Sequence, residues 1–156
     1  MEAWYGANGF FPMPKRILIA DDETSVRRAV RTFIETQSKW EVCEAADGIE
    51  AFQKARALNP DLIILDLSMP KANGVEVALL LNTIMPGTPV ILYTMFDEVF
   101  GQSPARALGI AAIVAKSDGV SKLLGRIEVL LNAAHAEHKL NPQNLRAECA
   151  VNKPAA

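Results

Sequence analysis

The apolar residues of the chain fall into short continuous runs separated by stretches with helical spacing. Four runs of four apolar residues, each followed by a polar residue, predict strands, and the first two of these runs have the pattern of strands buried inside a parallel sheet. They lie at 17–20, 62–65, 90–93 and 112–115. A fifth stretch, 40–45, alternates apolar and polar residues, which is typical of a strand at the margin of a sheet. The pattern therefore predicts five strands.

Between these strands, apolar residues recur at three- and four-residue intervals, which indicates amphipathic helices. The second helix is predicted to begin at Asp47-Gly48 and the last to be capped by Ser117-Asp118. A helix within 96–108 should be short or broken, because the range contains Gly101 and Pro104. The predicted apolar faces are Val26, Val30, Phe33 and Ile34 in the first helix, Ile49, Phe52 and Leu58 in the second, Val75, Leu79, Leu80 and Ile84 in the third, and Val120, Leu123, Leu124, Ile127, Leu130 and Leu131 in the last.

Strands that alternate with helices predict right-handed crossovers and a parallel sheet covered by helices on both faces. The marginal character of the second strand favours a flavodoxin-like, doubly wound α/β fold with strand order 2-1-3-4-5. A chain of 156 residues suits one domain, which we place at 15–138. We expect residues 1–14 to be flexible and residues 139–156 to form a disordered polar tail.

Composition excludes few functions. The chain has 50% hydrophobic and 22% charged residues and a net charge of −2, without the basic excess typical of nucleic-acid binders. Direct DNA binding is therefore not expected. The sequence has no pattern of a secretory signal and no apolar stretch of membrane-spanning length, so we expect a cytoplasmic protein.

Polar residues follow four of the five predicted strands. They are Asp21 and Asp22 after the first strand, Asp66 after the third, Thr94 after the fourth and Lys116 after the fifth. In the predicted strand order these four strands end at one rim of the sheet, where ligands bind in such folds. Carboxylates crowded together repel one another and favour a bound cation. Mg²⁺ takes oxygen ligands, so the sequence predicts a magnesium site formed by Asp21, Asp22, Asp66 and the backbone carbonyl of Ser68.

With a cation beside it, Asp66 could act as a nucleophile towards phosphorus and form an aspartyl phosphate. Lys116 would then balance charge on the phosphoryl oxygens, and the Thr94 hydroxyl would donate a hydrogen bond to them. Each residue alone has a simpler explanation: an acid as a helix cap or loop starter, Thr94 as an ordinary strand residue, Lys116 as a solvated charge. The complete set is harder to explain by chance.

Together these residues resemble the receiver domain of bacterial two-component response regulators over residues 15–138. The matching pieces are the pair Asp21-Asp22, the segment 65–70 around Asp66 with Gly74 after it, Thr94, and Lys116. The resemblance implies phosphotransfer to Asp66 from a histidine kinase or a phosphotransfer protein, Mg²⁺ dependence, and autodephosphorylation by water.

The chain departs from the family pattern at three places. Met95 follows the threonine where Ala or Gly is common, Ile113 stands three residues before Lys116 where an aromatic residue is common, and Ser117 follows Lys116 where many receivers have proline. That last pattern is closer to receivers attached to helix-turn-helix domains.

These observations favour a single-domain receiver that signals through altered protein contacts, as a monomer or a phosphorylation-dependent dimer, and is not itself an enzyme. One alternative is the receiver half of a helix-turn-helix transcription factor. Another is an aspartyl-phosphate phosphatase of the haloacid dehalogenase type. The phosphatase is disfavoured because Ser68 stands where that type needs a second Asp.

Overall fold

The computed structural model describes residues 13–95 and 102–140. Within them lies a five-stranded parallel sheet in the order β2-β1-β3-β4-β5. The strands are β1 (Arg16–Ala20), β2 (Glu41–Ala45), β3 (Leu62–Leu65), β4 (Val90–Thr94) and β5 (Ile110–Ala115). The predicted flavodoxin-like topology is confirmed, with the alternating strand β2 at one edge.

In the described part of the chain, five α-helices connect and follow the strands. They are α1 (Thr24–Gln37), α2 (Gly48–Leu58), α3 (Gly74–Ile84), α4 (Gln102–Ala107) and α5 (Val120–Leu140). α5 continues two residues past the predicted domain end at residue 138. Of the predicted terminal segments 1–14 and 139–156, residues 1–12 and 141–156 lie outside the described residues.

The sheet separates two hydrophobic cores, because successive side chains of a strand point to opposite faces. On β1, Leu18 and Ala20 pack with buried residues of α2, α3 and α4. Ile17 and Ile19 pack on the other face with buried residues of α1 and α5. Both faces of the central strands are therefore covered, which explains their continuous apolar runs.

α4 has six residues, with Pro104 at its third position. Proline is tolerated in a first helical turn, where backbone N–H groups lack an intrahelical acceptor. Gly109, with φ +75°, follows the helix in the left-handed conformation that glycine adopts readily. The described part of this region is short, as expected, whereas residues 96–101 lie outside the described residues.

Of the four residues predicted to form the apolar face, only Val75 packs against the core, so most of that prediction is wrong for α3. Its buried residues are Gly74, Val77, Ala78 and Leu81, whereas Leu79, Leu80 and Ile84 are 44%, 52% and 46% exposed. Since α3 is apolar around most of its circumference, residue spacing alone does not specify which side faces the sheet.

The predicted cap of the last helix is also wrong. Lys116–Asp118 form a turn of 3₁₀ helix, Gly119 follows with φ +85°, and α5 begins at Val120. Ser117 and Asp118 therefore belong to a separate turn before α5, and Lys116 is the first residue of that turn. Two polar residues before an apolar helical run are compatible with a helix cap and equally with a 3₁₀ turn. In both arrangements, backbone N–H groups need hydrogen-bond acceptors.

Two helices that flank the loop after β3 begin with side-chain caps. The Asp47 carboxylate accepts a hydrogen bond from the Glu50 N–H at 2.8 Å at the start of α2. The Asn73 side chain caps α3 by accepting hydrogen bonds from the Val75 and Glu76 N–H groups, and the Glu76 carboxylate in turn accepts one from the Asn73 N–H. These caps fix where each helix begins, and so fix both sides of the loop that follows Asp66.

Gly74 brings α3 against the backbone of Asp66. A Cβ atom at Gly74 would lie 2.2 Å from the Asp66 carbonyl oxygen, and the Gly74 N–H donates a hydrogen bond to the Leu67 carbonyl at 3.0 Å. Similarly, a Cβ atom at Gly48 would lie 2.3 Å from the Ala72 carbonyl oxygen. A side chain at Gly74 would therefore displace the backbone at Asp66, and one at Gly48 would displace the loop at Ala72.

We expect Gly74→Ala to lower the free energy of unfolding by about 1–3 kcal/mol, the usual cost of overpacking. Gly125→Ala is the matched control, because a Cβ atom there meets nothing within 4 Å. Since Gly125 lies inside α5, this control should stabilise the protein by up to about 1 kcal/mol. Urea unfolding measures both changes, and equal stabilisation by the two substitutions would contradict the proposed close approach.

Among residues 13–95 and 102–140, no helix is long and apolar enough to cross a membrane.

Candidate functional site

The strand register brings the predicted site residues to one edge of the sheet. Ala20 on β1 is paired with Leu65 on β3, so Asp21 and Asp66 leave adjacent strands at the same level. Thr94 ends β4 opposite Ala115 of β5, immediately before Lys116. One ligand oxygen from each of Asp21, Asp22 and Asp66 lies within 4.8 Å of the others.

Asp66 is buried at the end of β3, with 6% of its surface exposed. Its backbone N–H donates to the Ala20 carbonyl at 2.8 Å, which extends the pairing of β1 and β3 by one step. Its Oδ1 atom accepts a hydrogen bond from the Leu67 N–H at 2.8 Å. The backbone therefore holds one carboxylate oxygen while Oδ2 faces Lys116.

Asp21 is the most enclosed acid of the cluster, with 1% of its surface exposed. Its Oδ1 atom accepts a hydrogen bond from the Glu23 N–H at 2.8 Å. Its Oδ2 atom lies 2.6 Å from Lys116 Nζ, but this buried oxygen has no hydrogen bond of acceptable geometry. The contact is an ion pair with poor hydrogen-bond alignment, so the Oδ2 atom can still accept a hydrogen bond or bind a cation.

Lys116 lies between the two buried acids, with Nζ 2.6 Å from Asp21 Oδ2 and 3.5 Å from Asp66 Oδ2. Burial alone would lower the pKa of Lys116, but the negative charge of Asp21 at close range, and more weakly that of Asp66, raise its pKa above the ordinary value. The side chain is therefore a fixed positive charge in the site.

Burial raises the pKa of Asp66 above its ordinary value. The charge of Lys116 acts in the opposite direction, and that of Asp21 adds to the increase. Ionised Asp66 is thus destabilised by its surroundings when no cation other than Lys116 is near.

The acidic cluster fits a hard divalent cation. Asp22 is exposed beside the two buried acids, and its carboxylate has no hydrogen-bond or ion-pair partner among the described residues. Asp22 therefore offers an exposed carboxylate oxygen, and the poorly aligned Oδ2 atom of Asp21 offers a buried one. Oxygen ligands of this kind suit Mg²⁺.

Ser68 is exposed in an open groove of about 870 Å³ beside Asp22. The groove is also lined by Met69, Pro70 and Asn73, the N-cap residue of α3. The predicted carbonyl ligand therefore lies in the loop adjacent to the cluster.

Thr94 is buried, with 1% of its surface exposed, whereas the next residue, Met95, is exposed. Ile113 is half-buried and packs against the core on the α4 side of the sheet. Since Leu92 is paired with Ile113 and Thr94 with Ala115, Ile113 lies two positions before the residue opposite Thr94. The structure thus brings together Asp21, Asp22, Asp66 and Lys116, with Thr94 at the end of the neighbouring strand.

Lys71 was missed by sequence reasoning. It has φ +70°, an uncommon conformation for a residue other than glycine, and its Nζ atom lies 2.7 Å from Asp47 Oδ2. The loop after Asp66 is therefore attached to the cap of α2. The sequence contains only a weak signal for this contact, namely a lysine that follows Pro70.

Residues 17–128 match the family model described as the response regulator receiver domain. The chain is 34% identical over 119 residues to the alkaline phosphatase synthesis transcriptional regulatory protein PhoP of Bacillus subtilis, covering 76% of this chain and 49% of that protein. It is 31% identical over 120 residues to the transcriptional regulatory protein PdtaR of Mycobacterium tuberculosis, covering 77% of this chain and 58% of that protein.

Solved structures show the same fold. A CheY-like receiver domain protein from Methanospirillum hungatei superimposes with a TM-score of 0.72 at 25% identity, covering 80% of this chain and 98% of that chain. The response regulator TrrA of Thermotoga maritima, solved in complex with Mg²⁺-BeF, has a TM-score of 0.68 at 30% identity, covering 74% and 98%.

The chain spans about half the length of the curated relatives it matches. Several relatives are named transcriptional regulators, so the expectation that this chain does not contact DNA is not confirmed. One relative, from Pyrococcus abyssi, is named a protein-glutamate methylesterase, but only 27% of it is covered. From the family match, the shared fold and the geometry of the strand ends, the chain belongs to the response regulator receiver domain family.

Proposed function

We propose that Asp66 accepts a phosphoryl group from a histidine kinase or a phosphotransfer protein in the cytoplasm, and that the chain signals through altered protein contacts. The observation that carries this proposal is the position of Asp66, a buried carboxylate at a strand end, 3.5 Å from Lys116 and within reach of two further acids.

In the proposed reaction, a carboxylate oxygen of Asp66 attacks phosphorus. The bond from phosphorus to the donor's histidine nitrogen breaks, and its electron pair stays with that nitrogen. The hydrogen bond from the Leu67 N–H at 2.8 Å fixes the plane of the carboxylate before attack. No oxidant or further reactant is required.

Lys116 provides positive charge beside the oxygens of the incoming phosphoryl group. Its ion pair with Asp21 keeps Nζ in place before the group arrives. After transfer, negative charge at Asp66 increases by the charge of the phosphoryl group, and Lys116 is the described cation that lies closest to receive it.

We propose that Asp21, Asp22, Asp66 and the Ser68 carbonyl hold Mg²⁺, which would neutralise charge on the transferred group when bound. The support is the crowding of three carboxylates, one of them with a buried oxygen that lacks a well-aligned hydrogen bond. Thr94 would donate its hydroxyl hydrogen bond to the phosphoryl group and so report its presence.

The partial coverage of the relatives supports a second candidate. Relatives named transcriptional regulators are about twice as long as the matched region, so the second candidate is the receiver part of a DNA-binding regulator. A coding segment with a helix-turn-helix pattern downstream would favour this candidate. The proposed chemistry of Asp66 is the same in both.

The direct test is intact mass spectrometry after incubation with acetyl phosphate and Mg²⁺. One phosphoryl adduct on the protein supports the proposal, and no adduct from acetyl phosphate or from a phosphorylated kinase overturns it.

The departures at Met95 and Ile113 lead to a prediction about the switch. A phosphoryl group adds about −1.5 to −2 charges, towards which Thr94 is expected to move. Ile113 is β-branched and stiff about its first torsion, so it should not make the inward swing of an aromatic ring. We expect beryllofluoride to change amide hydrogen exchange mainly in residues 95–108 and little around Ile113.

Hydrogen exchange of the Mg²⁺-loaded protein, with and without beryllofluoride, measures this difference. The segment includes residues 96–101, which lie outside the described residues. The prediction fails if exchange changes at Ile113 and α5 while residues 95–108 keep their rates.

A further inference from the structure

Arg27 is an enclosed arginine that the proposed reaction does not use. It lies in the first turn of α1, and its side chain is 11% exposed. Arginine is rarely buried without partners, since its charge loses hydration. The contacts of its guanidinium group therefore indicate what this residue does.

The guanidinium group connects three parts of the chain. Nη1 donates to the backbone carbonyl of Asp21 at 2.6 Å, and Nη2 donates to Thr24 Oγ1 at 3.1 Å. Nε donates to Glu44 Oε2, on the edge strand β2, at 3.3 Å. The short loop between β1 and α1 is thus held around one side chain.

The Asp21 carbonyl belongs to the peptide that joins the two acids of the pair. A peptide unit is planar, so fixing its oxygen also fixes the direction of the Asp22 N–H and the position of the Asp22 Cα atom. The Asp21 carboxylate has restraints of its own, from the Glu23 N–H and Lys116. The Asp22 carboxylate has no such partner among the described residues, so its placement depends on its backbone.

We propose that Arg27, held by Glu44, is a positioning residue that orients the Asp21–Asp22 peptide so that the Asp22 carboxylate faces the cation. This inference rests on the proposed Mg²⁺ site. Glu44 thereby affects that site from β2, although it is not among the predicted ligands.

The direction in which Mg²⁺ affinity changes when Arg27 is replaced distinguishes a positioning role from a purely electrostatic one. Arg27 is positively charged and lies near the site, so by Coulomb's law its charge alone weakens Mg²⁺ binding. Loss of the charge without a positioning role would tighten binding. Loss of a residue that orients a ligand weakens binding, typically by 10–100-fold.

The test is isothermal titration calorimetry, which measures the Mg²⁺ affinity of the full chain. The proteins compared are the wild type, Arg27→Gln, Arg27→Lys and Arg28→Gln. Arg28 is the matched control, because it is exposed and has no ion pair among the described residues. We expect Arg27→Gln to weaken Mg²⁺ binding at least about tenfold. Arg27→Lys should also weaken it, since an ammonium group cannot reproduce the guanidinium fork. Arg28→Gln should leave it unchanged or slightly tighter.

A second readout distinguishes positioning from damage to the reactive residues. At saturating Mg²⁺, the rate of phosphorylation by acetyl phosphate should return to the wild-type value in Arg27→Gln, because Asp66 and Lys116 are intact. If that variant fails to fold, Glu44→Gln keeps the arginine and removes its anchor, and it should weaken Mg²⁺ binding in the same direction.

If Arg27→Gln folds and binds Mg²⁺ as tightly as the wild type, this inference is overturned and the proposed function stands. If Arg27→Gln does not fold, unchanged Mg²⁺ binding in Glu44→Gln has the same meaning. A rate that stays low at saturating Mg²⁺ also overturns it, because Arg27 would then act on the reaction itself. A wild-type chain that does not bind Mg²⁺ overturns the proposed function and the inference together.

Discussion

Asp66→Asn should remain unphosphorylated under conditions in which the wild-type chain gains one phosphoryl group. The substitution keeps the size and shape of the side chain but replaces an anionic nucleophile with a neutral amide, whose oxygen is a much weaker nucleophile. The Leu67 N–H can still donate to the amide oxygen, so the loop should keep its geometry. Intact mass spectrometry after incubation with acetyl phosphate and Mg²⁺ measures the loss.

Asp118→Asn is the matched control. Asp118 is an exposed acid two residues from Lys116 and is paired with Lys122, so its substitution should leave phosphorylation intact. An adduct that persists in Asp66→Asn, or that forms equally well with EDTA in place of Mg²⁺, would show that the site is assigned wrongly.

Lys116→Ala should lower the free energy of unfolding by about 3 kcal/mol in the absence of Mg²⁺, because it leaves buried carboxylates without their cation. Asp66→Asn should have the opposite effect. The raised pKa of Asp66 means that its contribution to stability is present at low pH and is lost as the pH rises through the folded-state pKa. The neutral amide removes this loss while Lys116 keeps its contact with Asp21.

Urea unfolding near neutral pH, with EDTA present, measures both effects. The control is Lys122→Ala, which removes an exposed ion pair and should cost under about 1 kcal/mol. With Mg²⁺ present, Lys116→Ala should still bind the ion, since it removes a neighbouring positive charge and no oxygen ligand. If its Mg²⁺ affinity fell as far as that of Asp22→Ala, the division between cation-binding and phosphate-facing residues would be wrong.

Much of the fold could be predicted because the three inner strands are buried on both faces, whereas β2 lies at an edge of the sheet. The run at 62–65 is continuously apolar because β3 is covered on both faces. The stretch at 40–45 alternates apolar and polar residues because β2 is an edge strand. The orientation of α3 could not be predicted. Leu80 and Leu81 are chemically identical, and only the packing of the sheet buries one and exposes the other.

The polar residues of the site were predictable because parallel strands end at one edge. The chain order of Asp21, Asp66, Thr94 and Lys116 then determines that they meet. The supporting contacts were not predictable. Arg27 has the sequence signature of an ordinary helical charge, and its contact with the Asp21 carbonyl depends on the path of a loop between two elements.

Gly48 and Gly74 carry no functional group, yet the space that their side chains would fill is occupied by the loop after β3, at Ala72 and at Asp66 respectively. A related sequence could therefore keep every acid, the threonine and the lysine, and still lose the site through one methyl group. An inventory of reactive residues would classify such a sequence as competent. When receiver sequences are compared for activity, glycine at these two positions should therefore count as much as the charged residues, because the missing side chains leave the room that the loop after β3 occupies.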